Sequence, residues 1–428
     1  MSARHPLMAA PILVFLLAAC GAPAPVESVA LPQVARSPAG AVSAGHPLAA
    51  LAGAEMLELG GNAVDAAVAA AFSLAVVEPS MSGLGGRVQI LIRTPEGEHV
   101  GIDGTTQAPH SYDPDTAPQA GYGYAVIGVP GVPAGLLRAH AQYGTLPRST
   151  VMEPAIRYAE DGFRLLPGEA ARHAAAAEEL AEFEGSRAYF LRPDGTPHPA
   201  GALFRQPDLA RTLRTLRDEG VEAFYTGSIA RAMAADIQAH GGAVTLESLA
   251  RYGAEESLVV RGSYRGHDLV GLWLPSFGAI TIEILQILET VDAAALDEPE
   301  WALALSEAIR LAYLDRPEQE DWDDALRLTS KAHAALVARD MRLEGAVPAA
   351  APGIPDGNTT HLTAADRAGM VVALTQSLGP SMGSKVAAPG LGFLYAATLA
   401  RGIHISANRG ASWANLGTPE FNVRAIAV

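Results

Sequence analysis

Three hydroxyl side chains late in the chain have the type and spacing for nucleophilic chemistry: Thr359, Thr375 and Ser377. Thr359 lies in Asp356-Gly357-Asn358-Thr359-Thr360-His361-Leu362-Thr363, where a turn-forming Asp-Gly-Asn gives way at once to alternating residues. Leu362 and Ala364 continue the alternation, Asp366 to Gly369 reads as a turn, and Val371, Ala373, Thr375 and Ser377 alternate again. The stretch therefore reads as a hairpin that opens on a potential nucleophile, with Thr375 and Ser377 sharing one face of its second strand. On spacing alone the same hydroxyls also fit a strand pair rich in Thr for its β propensity.

The elements that must carry this hairpin are legible upstream. Ala49 to Leu59 has apolar residues at helical spacing and stops at Gly60-Gly61, as expected of a helix with glycine beyond its C-terminus. Asn62 can cap a second helix, Ala63 to Val77, whose nearly uniform apolar content predicts complete burial. Glu78-Pro79 ends it. Ser82-Gly83-Leu84-Gly85-Gly86 lacks the Lys-Ser/Thr of a phosphate loop and reads as a tight connection into a strand, Val88 to Arg93, which returns from His99 to Asp103. Ser149 to Glu160, Leu209 to Glu219, Ile229 to His240 and Glu300 to Leu314 are amphipathic helices, the last with Trp301, Leu305, Ile309 and Ala312 facing inward. The charged residues on their other faces are expected to be solvated. The pattern supports a mixed α and β chain with much helix.

Composition sets the outer bounds. With 428 residues and 49% hydrophobic content there is material for a large core. A net charge of -16, with 30 scattered Lys and Arg, argues against nucleic-acid binding, which needs concentrated positive charge. Arg4 and His5 precede an apolar run from Leu7 to Ala19, about 13 residues long against the roughly 20 needed to span a bilayer, and this fits an export signal. Leu17-Ala18-Ala19-Cys20-Gly21 resembles a bacterial lipobox, so Cys20 is the candidate lipidation site and residues 1–20 the signal peptide. Cys20 is the one cysteine, which excludes an internal disulfide or a thiolate metal site. Residues 21–40 read as a tether. The expected location is the periplasmic side of a bacterial membrane, and Gly21 after Cys20 fits sorting to the outer membrane.

Gly60-Gly61-Asn62-Ala63-Val64-Asp65-Ala66-Ala67, Val77-Glu78-Pro79 and Ser82-Gly83-Leu84-Gly85-Gly86 resemble the gamma-glutamyltranspeptidase family. Gly128-Val129-Pro130-Gly131, Tyr143-Gly144-Thr145-Leu146-Pro147, Glu153-Pro154-Ala155-Ile156-Arg157 and Gln206-Pro207-Asp208-Leu209-Ala210 continue the likeness in the family's order, over roughly residues 41 to 395. The resemblance implies an α+β fold, the four-layer αββα sandwich of the N-terminal-nucleophile hydrolases. It also implies self-cleavage between Asn358 and Thr359, giving a heavy region, 41–358, and a light region, 359–428, that stay associated. Cleavage frees an α-amino group with a reference pKa of about 7.7–8.0 on the nucleophile's own residue, where it serves as base. By the same resemblance Thr359 attacks a gamma-glutamyl or related amide and passes the acyl group to water or an amine. Ser377 stands where the family has a Thr bonded to the nucleophile, and no metal or organic cofactor is required.

Departures qualify this expectation. Ile102-Asp103-Gly104-Thr105-Thr106 places Thr105 where the family has an arginine that grips the substrate's carboxylate, and a hydroxyl cannot supply that charge. Gly379 falls where many members have Asn, and Arg87 in the glycine loop reads either as the lost positive charge relocated or, equally, as an ordinary surface arginine. Thr105 and Gly379 are therefore the substrate-binding positions under question. After Tyr395 the expected light-chain motifs are missing from Arg401 to Val428, which reads as a truncated ending. A catalytically silent lipoprotein that keeps the family scaffold is the alternative reading.

Overall fold

The computed structural model describes residues 37–113, 120–343 and 357–397, with the backbone of 404–405 and 414–415. The signal peptide, Cys20 and nearly all of the tether lie outside the described residues, as does most of the segment after Tyr395. Strand β1 (Gly40–Ala44) starts the described fold, one residue inside the expected tether. Helices α1 (Pro47–Glu58) and α2 (Ala63–Val77) follow, then strands β2 (Arg87–Arg93) and β3 (His99–Gly104). All of α2 is buried, as its composition predicts. Its N-terminus is closed by a capping box in which Asn62 accepts from the N–H groups of Val64 and Asp65 while Asp65 accepts from that of Asn62.

Helices α3 (Val132–Tyr143) and α4 (Arg148–Asp161) continue the layer around α2. A short ribbon of β4 (Phe163–Arg164) and β5 (Leu203–Phe204) brackets α5 (Pro167–Ala175), α6 (Ala177–Ala181) and α7 (Glu184–Phe190). Then come α8 (Pro207–Glu219), α9 (Val221–Tyr225), α10 (Ser228–Ala239), α11 (Leu246–Ala250) and β6 (Glu255–Ser257). A smaller lobe has its own core around Trp273, Ile280 and Ile287. It is built from the ribbon β7 (Val259–Tyr264) and β8 (His267–Leu272) with α12 (Gly278–Glu289), α13 (Glu298–Asp315), α14 (Trp322–Leu328) and α15 (Lys331–Val337). The expected inward face of α13 is shifted. Leu303, Ala304, Glu307, Ala308, Leu311 and Ala312 are buried, while Ile309 is 40% exposed. Glu307 can lie inside because Arg310, one turn on, holds both its oxygens.

The hairpin itself is β9 (Gly357–Asp366) and β10 (Val371–Pro380). With it the large sheet runs β1-β9-β10-β2-β3-β6, every neighbouring pair antiparallel. Register sorts its side chains into two faces. Leu362, Leu374, Ile90 and Ile102 align across four strands and are buried on the face where α2 packs against β9 and β10. The opposite face carries a polar row, His361, Thr375, Gln89 and Asp103, and beside it a second, Thr359, Ser377 and Arg87. Ser82 to Gly86 is the tight connection that was expected. A Cβ on Gly85 would lie 2.2 Å from the Leu394 carbonyl oxygen, because residues 394–396 run against it and Ala396 donates to the Gly85 carbonyl.

Candidate active site

The geometry that matters is concentrated at the start of the hairpin. Thr359 and Ser377 face each other across β9 and β10, and the Thr359 hydroxyl donates to Ser377 Oγ at 3.1 Å. The Ser377 hydroxyl in turn donates to the Asn358 carbonyl at 2.8 Å. That carbonyl belongs to the peptide joining Asn358 to Thr359. One small side chain thus accepts from the potential nucleophile and polarises the carbonyl next to it. The Gly379 N–H donates to the same Oγ at 2.9 Å and fixes its orientation.

Gly379 contributes through its backbone. The register between the strands slips between Ser377 and Gly379, a bulge that bends β10 beside the site, and Gly379 adopts φ +89° there. A side chain would be strained at that angle, and its Cβ would lie 2.8 Å from the Ala397 carbonyl oxygen. Thr375 sits two residue pairs further along and does not touch Thr359; its Oγ1 lies 2.8 Å from His361 Nδ1. Thr105 is buried in a network of its own, its hydroxyl accepting from Gln89 at 2.7 Å, its N–H donating to Asp103 and its carbonyl accepting from Tyr252. The structure therefore joins Asn358, Thr359, Ser377 and Gly379, and leaves Thr375 and Thr105 outside that group. Arg87, opposite Ser377 on the next strand, keeps solvent-exposed surface although the protein packed around it desolvates the guanidinium and lowers its pKa, and it makes no ion pair among the described residues.

A cleft of about 410 Å3 opens beside Thr359, lined among others by His46, Glu78, Glu169, Arg172 and Thr360. The sequence presents Glu78 only as a helix end, and nothing in its local pattern points to the site. In the fold it is the C-cap of α2 and its carboxylate accepts from the Thr360 hydroxyl at 2.8 Å. Burial pushes the Glu78 carboxyl above its ordinary pKa despite that bond. Deeper in, burial would raise Glu169 as well, but bonds from His173 and Ser80 outweigh it and hold the carboxyl below the usual value. His46 caps α1 by accepting the Leu48 N–H on Nδ1, which requires a neutral ring with its proton on Nε2, and burial lowers its pKa to about 4.

Residues 49–419 match the family model described as Gamma-glutamyltranspeptidase. The chain belongs to the gamma-glutamyltranspeptidase family. The match runs past Tyr395, where recognisable motifs end. Over 405 residues the chain is 36% identical to the acylase ACY 1 proenzyme of Pseudomonas sp. (strain V22), taking in 87% of this chain and 72% of that protein. It is 33% identical over 408 residues to the glutathione hydrolase proenzyme of Escherichia coli (strain K12), covering 88% and 70% respectively. Among solved structures, cephalosporin acylase from Bacillus halodurans superposes with a TM-score of 0.78 at 27% identity, covering 94% of this chain and 77% of the neighbour. The α+β N-terminal-nucleophile hydrolase fold anticipated from the motifs is thus shown. The acylase and the glutathione hydrolase are both enzymes named as proenzymes, and the reading of the chain as a silent scaffold gains no support.

Proposed function

We propose that Thr359 is both the agent of self-cleavage and the nucleophile of an amidase or acyltransferase of gamma-glutamyl type. The observation that carries this is the Ser377 hydroxyl, which bridges Thr359 Oγ1 and the Asn358 carbonyl. Thr359 Oγ1 attacks the Asn358 carbonyl carbon, the C–N bond breaks, and the departing nitrogen becomes the Thr359 α-amine. Water then hydrolyses the Asn358 ester. In turnover that amine takes the hydroxyl proton, Oγ1 forms an ester with the donor's acyl group, and the leaving amine departs with a proton. Water or an incoming amine releases the acyl group. The donor is a small gamma-glutamyl or related acyl amide, the wider class being favoured by the acylases among the relatives.

Arg87 supplies the cation for a carboxylate on that donor. It lies on the same sheet face as Thr359, two strands away, about 10 Å at the usual strand spacing, which a guanidinium and a short acyl chain span together. Residues 41–358 and 359–428 form the heavy and light regions. Association after cleavage is supported by the sheet, where the light region's β10 pairs with the heavy region's β2. The exported chain is held at the periplasmic side of a membrane through a lipid on Cys20, a reading supported by Leu17 to Gly21. Mass spectrometry of the purified protein tests the central claim. A fragment beginning at Thr359 is expected, together with turnover of a chromogenic gamma-glutamyl anilide, and Thr359→Ala should abolish both. An intact wild-type chain would sink the assignment.

A further inference from the structure

Far along the fold from the hairpin, in the smaller lobe, three helices bring Glu283, Asp315 and His333 together. Glu283 comes from the middle of α12, Asp315 is the last residue of α13, and His333 lies in α15. One ligand atom from each falls within 4.8 Å of the others. His333 Nε2 stands 3.3 Å from Glu283 Oε1 and 2.5 Å from Asp315 Oδ2.

The independent observation is Glu283 itself. Its side chain is 0% exposed, and neither carboxylate oxygen receives a well-aligned hydrogen bond; its neighbours are His333 at 3.3 Å and the Asp315 carboxylate, with which it can share a proton. Other buried carboxylates of the described chain are well supplied. Asp65 accepts from Asn62, Thr145 and Leu146, Glu169 from Ser80 and Arg172, and Glu307 from Arg310 and the Arg342 N–H. A buried carboxylate aimed at a histidine and a second carboxylate, with no donor of its own, has the donor set of a cation site.

We propose that Glu283, Asp315 and His333 bind a divalent first-row transition ion of the zinc class. One imidazole and two carboxylates suit such an ion, and the chain has no thiolate here to offer. Ligand bonds of about 2.1 Å set tetrahedral edges of roughly 3.4 Å, close to the present histidine-to-Glu283 separation. The His333 and Asp315 pair must widen as the ion enters. Asp315 and His333 are 22% and 14% exposed, which gives an entry path and leaves room for water on the metal. Two carboxylates balance the ion, and Arg327, which lies 3.6 Å from Asp315 Oδ2 and 3.4 Å from His333 Nε2, must turn onto Asp324, its other partner, as the ion enters. The ion would pin α12, α13 and α15 together and takes no part in the reaction at Thr359.

The test uses the full chain, stripped with a chelator and titrated with zinc chloride by calorimetry, then with manganese and nickel. One saturable zinc site is expected, weakened at least tenfold in Glu283→Gln and in Asp315→Asn, together with a zinc-dependent rise in Tm that both variants lose. Asp315→Asn changes a partly exposed side chain to its near-isostere, so it keeps the fold even if the buried substitution does not. Absence of saturable binding by all three ions would overturn the proposal in favour of a proton held between Glu283 and Asp315. Binding unchanged in Asp315→Asn would overturn it too, by placing the ion elsewhere.

Discussion

Ser377 is the residue on which processing and turnover separate. Its hydroxyl donates to the Asn358 carbonyl only while the peptide is intact, whereas its contact with Thr359 Oγ1 does not depend on the peptide. Ser377→Ala should therefore slow appearance of the Thr359 fragment by about 10²- to 10³-fold, the usual cost of one donor lost from a reacting carbonyl. Ser377→Thr, which restores the hydroxyl, should recover it; timed electrophoresis of the newly folded chain reads both. Arg87 bears on binding. Arg87→Ala is expected to raise KM at least tenfold for donors that carry a free carboxylate, leaving neutral acyl anilides unaffected, because the bound donor covers the guanidinium and a pair shielded from water in this way is worth about 1.5–3 kcal/mol. Equal losses on both donor types would place Arg87 outside the binding site. Thr359 and Ser377 were legible in the sequence because alternation and a turn signal fix a hairpin. Arg87 was legible only as a charge in a glycine loop, since its cross-strand neighbours come from residues almost 300 positions later.

At the scale of elements, α1 and α2 hold the site's floor through their ends. Glu78 closes the C-terminus of α2 and bonds Thr360. His46 opens α1 as a neutral acceptor. Its pKa falls from 6.5 in the unfolded chain to about 4 in the fold, so the unfolded state binds a proton first as pH drops. Stability tied to His46 is therefore fully present above pH 6.5 and is lost progressively as pH falls towards 4, by an amount on the order of 3 kcal/mol. Thermal melts across that window should show the decline, and His46→Asn, which caps without titrating, should flatten it. The six helices read from period and caps, α1, α2, α4, α8, α10 and α13, lie within one or two residues of their expected bounds, whereas α3 and α12 were not read at all. The inward face of α13 was not. Its exposed Ile309 and buried Glu307 follow from which side the small lobe's other helices occupy and from the Arg310 pairing, neither of which is a property of the helix alone.

Across the whole molecule, distant motifs turn out to be parts of one joint. Asp65 in α2 accepts from the N–H and hydroxyl of Thr145 and the N–H of Leu146, Asn62 donates to the Tyr143 carbonyl, and Asp366 at the hairpin turn accepts from the Ala63 N–H. Gly61 to Asp65 and Tyr143 to Pro147 look like separate signatures in the sequence, and the fold shows them bonded to each other. Asp65→Ala should orphan several buried donors at ~1–3 kcal/mol each, lowering stability by on the order of 3 kcal/mol or more. A chemical-denaturation midpoint that hardly moves would contradict this. Because the same joint anchors the turn of β9 and β10, the variant should also slow cleavage at Asn358-Thr359.

What the sequence determined by itself was local and periodic. It placed the buried helix Ala63 to Val77, the hairpin from Thr359 to Ser377, the exclusion of an internal disulfide, and motifs ordered enough to indicate the family. Tertiary structure alone decided which hydroxyl meets which. Thr375 and Ser377 share a face and a spacing, yet β-sheet register pairs Thr375 with His361 and Ser377 with Thr359. It also turned Gly379 from a missing side chain into a backbone donor, because the bulge and φ +89° exist only once β10 is paired. The physical reason is the same in each case. Periodicity tells a strand which side chains share a face, while the partner that each one meets is set by chain brought in from hundreds of residues away.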